Sequence, residues 1–277
     1  MNAAETGLGT NQSSTQTESH GSNSLILDSF RLTGKNALVT GSSRGLGAEI
    51  AHALAEAGAN VALHGSQAVP SAVVERVDAT GVRHVELVAD LRYPDRCPEL
   101  IAATVAKLGS IDILVNNAGL IRRAPAVDFS EMDWDEVLAA DLTSVFRLSQ
   151  SAGRHMLAQG SGKIINIASL LSFQGGVRVP AYAAAKGGVA QVTKALANEW
   201  AERGVQVNAI APGYMETDNT EALRNDPARS RQILERIPAG RWGSPQDVAG
   251  AVVFLASPAS NYISGHVLAV DGGWLGR

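Results

Sequence analysis

Tyr182 and Lys186 stand four residues apart in the alanine-rich run PAYAAAK (180–186), and Ser169 stands thirteen positions before the tyrosine. On a helix, a four-residue spacing puts two side chains one turn apart on the same face. A free tyrosine has a pKa of about 10 and is a poor acid–base catalyst at neutral pH. An ammonium about 4 Å away contributes about 4 kcal/mol at an effective dielectric near 20, which is on the order of three pKa units for a phenol. A tyrosine so placed can move a proton near neutrality. The hydroxyl of Ser169 can bind the oxygen of a reacting carbonyl or alcohol. Taken alone, this spacing also fits a surface tyrosine beside a solvated lysine, so the surrounding elements decide.

Those elements alternate. Apolar runs predict strands at 36–40 (NALVT), 60–64 (NVALH), 84–89, 111–115 (IDILV), 163–168 (KIINIA), 205–210 (VQVNAI) and 266–270 (HVLAV). Helical patterns fall at 45–57, 68–79, 98–108, over one long stretch 130–159, through the Tyr/Lys segment, and at 245–256. Alternation at this spacing predicts an α/β fold: a single Rossmann-type, doubly wound parallel sheet of about seven strands with helices on both faces. Several strands are almost wholly apolar, as strands buried on both faces must be. Residues 1–24 are rich in Ser, Thr, Asn and Gly and lack the basic start and apolar centre of a signal peptide. They are expected to be a disordered tail. No composition shift divides 25–277, so one domain is expected, with 25–32 packed on its edge. The polar, charge-rich stretch around 213–240 is expected to be a mobile substrate lid with helical pieces.

Composition narrows the function. The 277 residues are 45% hydrophobic and carry a net charge of −4, so no basic surface invites nucleic acid or an anionic membrane. A single cysteine rules out an internal disulfide framework and fits a reducing, cytoplasmic setting. The six histidines are scattered without ligand spacing, so no metal site is expected. No run has the length and apolarity of a membrane span.

Four predicted strand ends carry small or polar residues. TGSSRGLG (40–47) joins the first strand to the first helix, with Gly41, Gly45 and Gly47 allowing a tight turn and close approach to a pyrophosphate. Ser43, Arg44 and Leu46 complete that turn, whose spacing is GxxxGxG rather than GxGxxG. Asp90, followed by Leu91, ends the third strand, where a carboxylate can accept from an adenine amine. Asn116-Asn117-Ala118-Gly119 ends the fourth, and Pro212, Gly213 and Thr217 follow the sixth. Open α/β sheets bind ligands at this edge.

On these residues the chain from about 27 to 277 resembles the short-chain dehydrogenase/reductase family. It shows TGxxxGxG, Asp90, NNAG, the Ser169/Tyr182/Lys186 set and the PG…T segment in the family's order. The resemblance implies a nicotinamide cofactor, with Tyr182 as acid–base catalyst, Ser169 orienting the reacting oxygen and Lys186 binding the nicotinamide ribose. It also implies a homotetramer. AGLIRR (118–123), SFQGGVRVPAY (172–182), APGYMETDNT (211–220), RIPAGRWG (236–243) and AVDGGWL (269–275) carry a narrower resemblance. They are similar to the family's sugar-acid dehydrogenases of uronate and pectin breakdown, which interconvert 2-keto-3-deoxygluconate and its 2,5-diketo counterpart. Such a substrate has a carboxylate, which arginine grips in bidentate fashion; Arg123, Arg178 and Arg241 are the candidates. The rivals are another short-chain reductase, such as a gluconate 5-dehydrogenase or a 3-oxoacyl-carrier-protein reductase, and a nucleotide-binding sensor without turnover.

Two positions depart from the family pattern. Asp141, in ADLTSVF, stands where the family has an asparagine holding a water of the proton relay. An ionised carboxylate accepts but cannot donate, and it can pair with Lys186. The second strand ends in His64-Gly65-Ser66-Gln67, without the acid that holds a ribose 2′-hydroxyl. That absence, with Arg44 nearby, favours NADP, whereas the narrower resemblance implies NAD; NAD is the expected cofactor, with NADP open.

Overall fold

The computed structural model describes residues 25–277; the tail expected over 1–24 lies outside the described residues. The strands are β1 (Asn36–Val39), β2 (Asn60–Gly65), β3 (His84–Val88), β4 (Ile113–Asn116), β5 (Gly162–Ile167), β6 (Val205–Pro212) and β7 (Val267–Val270). They pair throughout in parallel, in the order β3-β2-β1-β4-β5-β6-β7. The chain winds outward from β1 in one direction and then, from β4, in the other. The crevice at that reversal is where such sheets take ligands.

The apolar runs form these strands because both faces of the sheet are covered. Side chains alternate along a strand. Ala37 and Val39 therefore enter one core with Ile113, Val115 and Ile165, while Leu38 enters the other with Leu114 and Ile164. On the first face pack α1 (Gly45–Glu56), α2 (Ser71–Asp78) and α9 (Pro245–Ala256), through Ile50, Leu54, Val77, Val248 and Val252. On the second pack α3 (Cys97–Leu108), α5 (Ser144–Gln159) and α6 (Pro180–Trp200), through Ile101, Leu148, Met156, Leu196 and Trp200. Burying each such side chain stabilises the fold by about 1.5–3 kcal/mol. Leu32 of the leading segment is fully buried, and Phe30 lies 6.1 Å from the Phe254 ring.

Two element boundaries differ from expectation for identifiable reasons. The second helix begins at Ser71, not at 68, because Pro70 sits at its N-cap and pushes the preceding residue away from helical geometry. The stretch 130–159 is not one α-helix. α4 (Glu131–Leu138) gives way to a π turn at Ala139–Thr143 before α5 begins. There the Ser144 hydroxyl, with one hydrogen to give, lies 2.6 Å from Leu91 O, its nearer acceptor, and 2.9 Å from Ala139 O. The widened turn carries Asp141 inward to complete burial. The stretch 214–238 contains α7 (Asp218–Arg224) and α8 (Pro227–Leu234).

Candidate active site

The carboxyl ends of β1 to β6 open into one cleft of about 400 Å³, within the ~300–1,000 Å³ usual for small-molecule sites. The glycine turn supplies Gly41, Ser43, Arg44, Gly45, Leu46 and Gly47 to its wall. Asp90 and Leu91 follow β3, Asn117, Ala118 and Gly119 follow β4, and Pro212, Gly213 and Thr217 close the far side. Ser169, Tyr182, Lys186 and Asp141 line the same cleft.

The glycine turn is held tightly. A Cβ on Gly47 would lie 2.2 Å from Gly41 O, and Gly41 has φ +64° with its missing Cβ 2.9 Å from Ala118 Cα. Neither position accepts a side chain without moving backbone. Asn117 Nδ2 donates to Thr40 O at 2.9 Å and Gly41 O at 3.1 Å, while the Thr40 hydroxyl accepts from Asn117 N at 3.0 Å and Ala118 N at 3.1 Å. The β4 loop and the turn are thus one rigid unit. No side chain caps α1 at Arg44, so its first N–H groups face the cleft with the positive end of the helix dipole. That donor set suits a dinucleotide pyrophosphate. Arg44 itself pairs with Asp218 at 3.0 Å, both well exposed, joining the turn to α7 across the cleft.

At the other end, α6 carries Tyr182 and Lys186 to the mouth of β5. Lys186 Nζ lies 5.5 Å from the centre of the Tyr182 ring and donates to Ile167 O at 2.8 Å. The Ser169 Oγ accepts from Leu171 N at 3.2 Å as the cap of a short turn, leaving its own hydrogen for a ligand. Behind the lysine, Asp141 Oδ1 accepts from Leu120 N at 2.8 Å, and Oδ2 stands 3.7 Å from Lys186 Nζ with no hydrogen bond. The pairing expected from the sequence is therefore present, inside a fully buried pocket. Burial pushes the Asp141 carboxyl above the usual carboxylate range, and the Lys186 ammonium offsets part of that.

A carboxyl raised in the folded state stabilises the fold most below its unfolded pKa, and that contribution is lost as pH rises through the folded value. Asp141→Asn deletes this dependence. The unfolding free energy of the parent minus that of D141N should fall as pH rises from about pH 4 to pH 8, in urea titrations. Parallel curves for the two proteins would show that Asp141 does not titrate in this window.

The predicted arginines separate. Arg123 is exposed at the rim and donates to Asn219 O at 3.1 Å, spanning from the β4 loop to α7. Arg178 is exposed with φ +65°, and its carbonyl accepts from Ala124 N at 3.1 Å, so its loop runs beside that of Arg123. Like Arg123 and Arg178, Arg241 does not line the cleft itself. It makes a two-pronged pair with Asp247 at 2.7 and 2.8 Å, which holds the Asp247 carboxyl below its ordinary range and anchors the start of α9. Asp90 lines the cleft, but Arg92 grips its carboxylate at 2.7 Å and lowers it, and also binds Glu136 at 2.9 Å. The sequence reading missed Arg92 in this role; its signal was a cation two residues after a strand-end acid. It also missed that His64 turns inward, and that Asn219 and Thr220 of α7 line the cleft.

A parallel sheet with a glycine turn after β1, and a Ser/Tyr/Lys set after β5, defines a class. Residues 41–275 match the family model described as Enoyl-(Acyl carrier protein) reductase, and the chain belongs to the short-chain dehydrogenase/reductase family. It is 56% identical over 255 residues to the 2-dehydro-3-deoxy-D-gluconate 5-dehydrogenase of Escherichia coli (strain K12), covering 91% of this chain and 100% of that one. A solved structure of a candidate 2-deoxy-D-gluconate 3-dehydrogenase from Agrobacterium tumefaciens with bound NADP is 54% identical, with TM-score 0.85 over 90% of this chain and 100% of that one. A gluconate 5-dehydrogenase from Burkholderia cenocepacia in complex with NADP and tartrate is 42% identical, with TM-score 0.86 over 91% and 99% of the two chains.

Proposed function

We propose that this protein is an NAD(P)-dependent dehydrogenase that interconverts 2-dehydro-3-deoxy-D-gluconate and 3-deoxy-D-glycero-2,5-hexodiulosonate, a step of uronate catabolism. One observation carries the reading: a chain 56% identical to an enzyme of that name keeps Ser169, Tyr182 and Lys186 around one cleft. The glycine turn and the start of α1 hold the pyrophosphate. No acid ends β2, and Ser66 and Arg44 border the cleft there, so no strand-end carboxylate stands against a ribose 2′-phosphate. Arg44 can leave Asp218 for it cheaply, since exposed pairs are worth only about 0–1 kcal/mol.

When bound, the nicotinamide supplies or accepts the hydride. In the reducing direction the Tyr182 hydroxyl gives its proton to the substrate oxygen, which also accepts from Ser169 Oγ. In the oxidising direction Tyr182 takes that proton back. The Lys186 ammonium stabilises negative charge on the phenol oxygen while the proton is in transit, and Asp141 holds the lysine from behind. Arg123 and Arg178, on adjacent loops at the rim, take the substrate carboxylate. Among the described residues no helix is long and apolar enough to cross a membrane, and no group of three potential metal ligands occurs. We place the enzyme in the cytoplasm as a homotetramer acting on a small sugar acid, with no nucleic-acid or membrane partner.

Loss of NADH or NADPH absorbance on adding the 2,5-diketo acid tests the activity, and no turnover with either cofactor would end this reading. Arg123→Ala and Arg178→Ala should each raise KM for the sugar acid about tenfold or more, as expected for losing a charge-assisted contact of ~1.5–3 kcal/mol. The KM for an uncharged ketone should stay nearly constant. Equal effects on both substrates rule out the carboxylate role.

A further inference from the structure

We propose that a neutral His64 is the positioning residue of the glycine turn, so that protonating it weakens dinucleotide binding; this rests on the cofactor site proposed above. His64 stands at the end of β2 and is 2% exposed. Its Nδ1 accepts from Gly41 N at 3.0 Å, and its Nε2 lies 2.9 Å from Ala89 O. A backbone N–H can only donate and a carbonyl can only accept. One tautomer satisfies both partners: Nδ1 bare, Nε2 protonated.

The same residue holds the turn through its backbone. His64 N donates to Ser42 Oγ at 2.8 Å, and His64 O accepts from Ser42 N at 2.9 Å. The first two residues after Thr40 therefore hang on His64, and His64 in turn ties β2 to the end of β3. Gly41, at φ +64°, has no side chain of its own to fix it. Adding a proton at Nδ1 sets two donors face to face in a buried site, and the turn must shift to separate them. The charged groups facing this pocket are Asp90, held by Arg92, from the loop after β3, and Arg44, paired with Asp218, from the glycine turn. Asp90 favours the cation, but burial outweighs it and holds the imidazole below the ordinary histidine range. Binding is therefore steady near neutrality and fails on the acid side.

The test is NADH affinity of the whole protein, read by nicotinamide fluorescence from pH 8 to pH 5, with folding followed by circular dichroism. NADH is the probe because a 2′-phosphate titrates itself near about pH 6. The parent Kd should rise progressively as pH falls from 7 to 5. In His64→Asn the amide oxygen can still accept from Gly41 N without titrating. That variant should bind more weakly at pH 8, yet change less than about twofold over the range. His64→Phe should bind weakly at every pH. Imidazole 15N shifts of the parent at pH 7 should show Nδ1 bare and Nε2 protonated, a measurement that needs no variant. A flat parent profile, the same slope in H64N, or a proton on Nδ1 overturns the proposal. Absence of both NADH and NADPH binding at every pH overturns it together with the cofactor reading, whereas pH-independent binding overturns it alone.

Discussion

Replacing Tyr182 by phenylalanine should lower kcat by about 10²–10⁴, the contribution expected of one positioned acid–base group. Folding and cofactor affinity should be close to those of the parent. Tyr182 packs against the cluster of Val137, Ala181 and Ala185 on the α4–α6 side, and phenylalanine keeps that apolar packing. Only the oxygen is deleted. The substrate oxygen then has the Ser169 hydroxyl but no proton donor, so the loss should appear in kcat more than in KM. Single-turnover measurement of nicotinamide absorbance, with substrate saturating, reads the step directly. A folded Y182F enzyme that reduces its ketone at the parental rate would remove Tyr182 from the reaction and with it the mechanism proposed here.

Lys186→Met should cost about 3–5 kcal/mol of stability at alkaline pH, because it strips a buried charge of its partner. Lys186 is 3% exposed and Asp141 fully buried, with 3.7 Å between Nζ and Oδ2. Methionine fills a similar volume, so packing changes little. What remains is a carboxylate with one bare oxygen and no counter-charge. Without the ammonium the folded pKa of Asp141 rises further, so the penalty shrinks at low pH, where the carboxyl is neutral, and grows as pH rises through that value. The double variant Lys186→Met/Asp141→Asn should recover most of the loss, since an amide needs no counter-charge. Urea unfolding of the four proteins at pH 5 and pH 8 forms the cycle. Additive effects of the two substitutions would mean that the pair is not coupled, and that Asp141 does not hold the lysine.

The strands were legible in the chain because a sheet covered on both faces demands apolar residues at successive positions. The runs NALV, ILVN and KIINI carry that demand locally. The glycine turn was legible for a similar reason: a Cβ at 47 would lie 2.2 Å from Gly41 O, so only glycine fits there. Tyr182 and Lys186 were legible because the helical period alone puts them on one face. In each case the cause lies within a few residues of its effect.

What the tertiary structure alone decided is which partner each side chain takes, near or far along the chain. Arg241 looked free for a substrate until Asp247 met it in a two-pronged grip, and Asp90 looked free until Arg92 closed on it. The π turn at 139–143 reads as ordinary helix in sequence, yet Ser144 N closes it by donating back five residues to Ala139 O. His64 read as the missing acid of a strand end, yet its ring turns inward to Gly41 and Ala89. Local sequence determined which residues can do chemistry and which elements carry them. Which of those residues are spent on holding the protein together depended on contacts that only the assembled sheet creates.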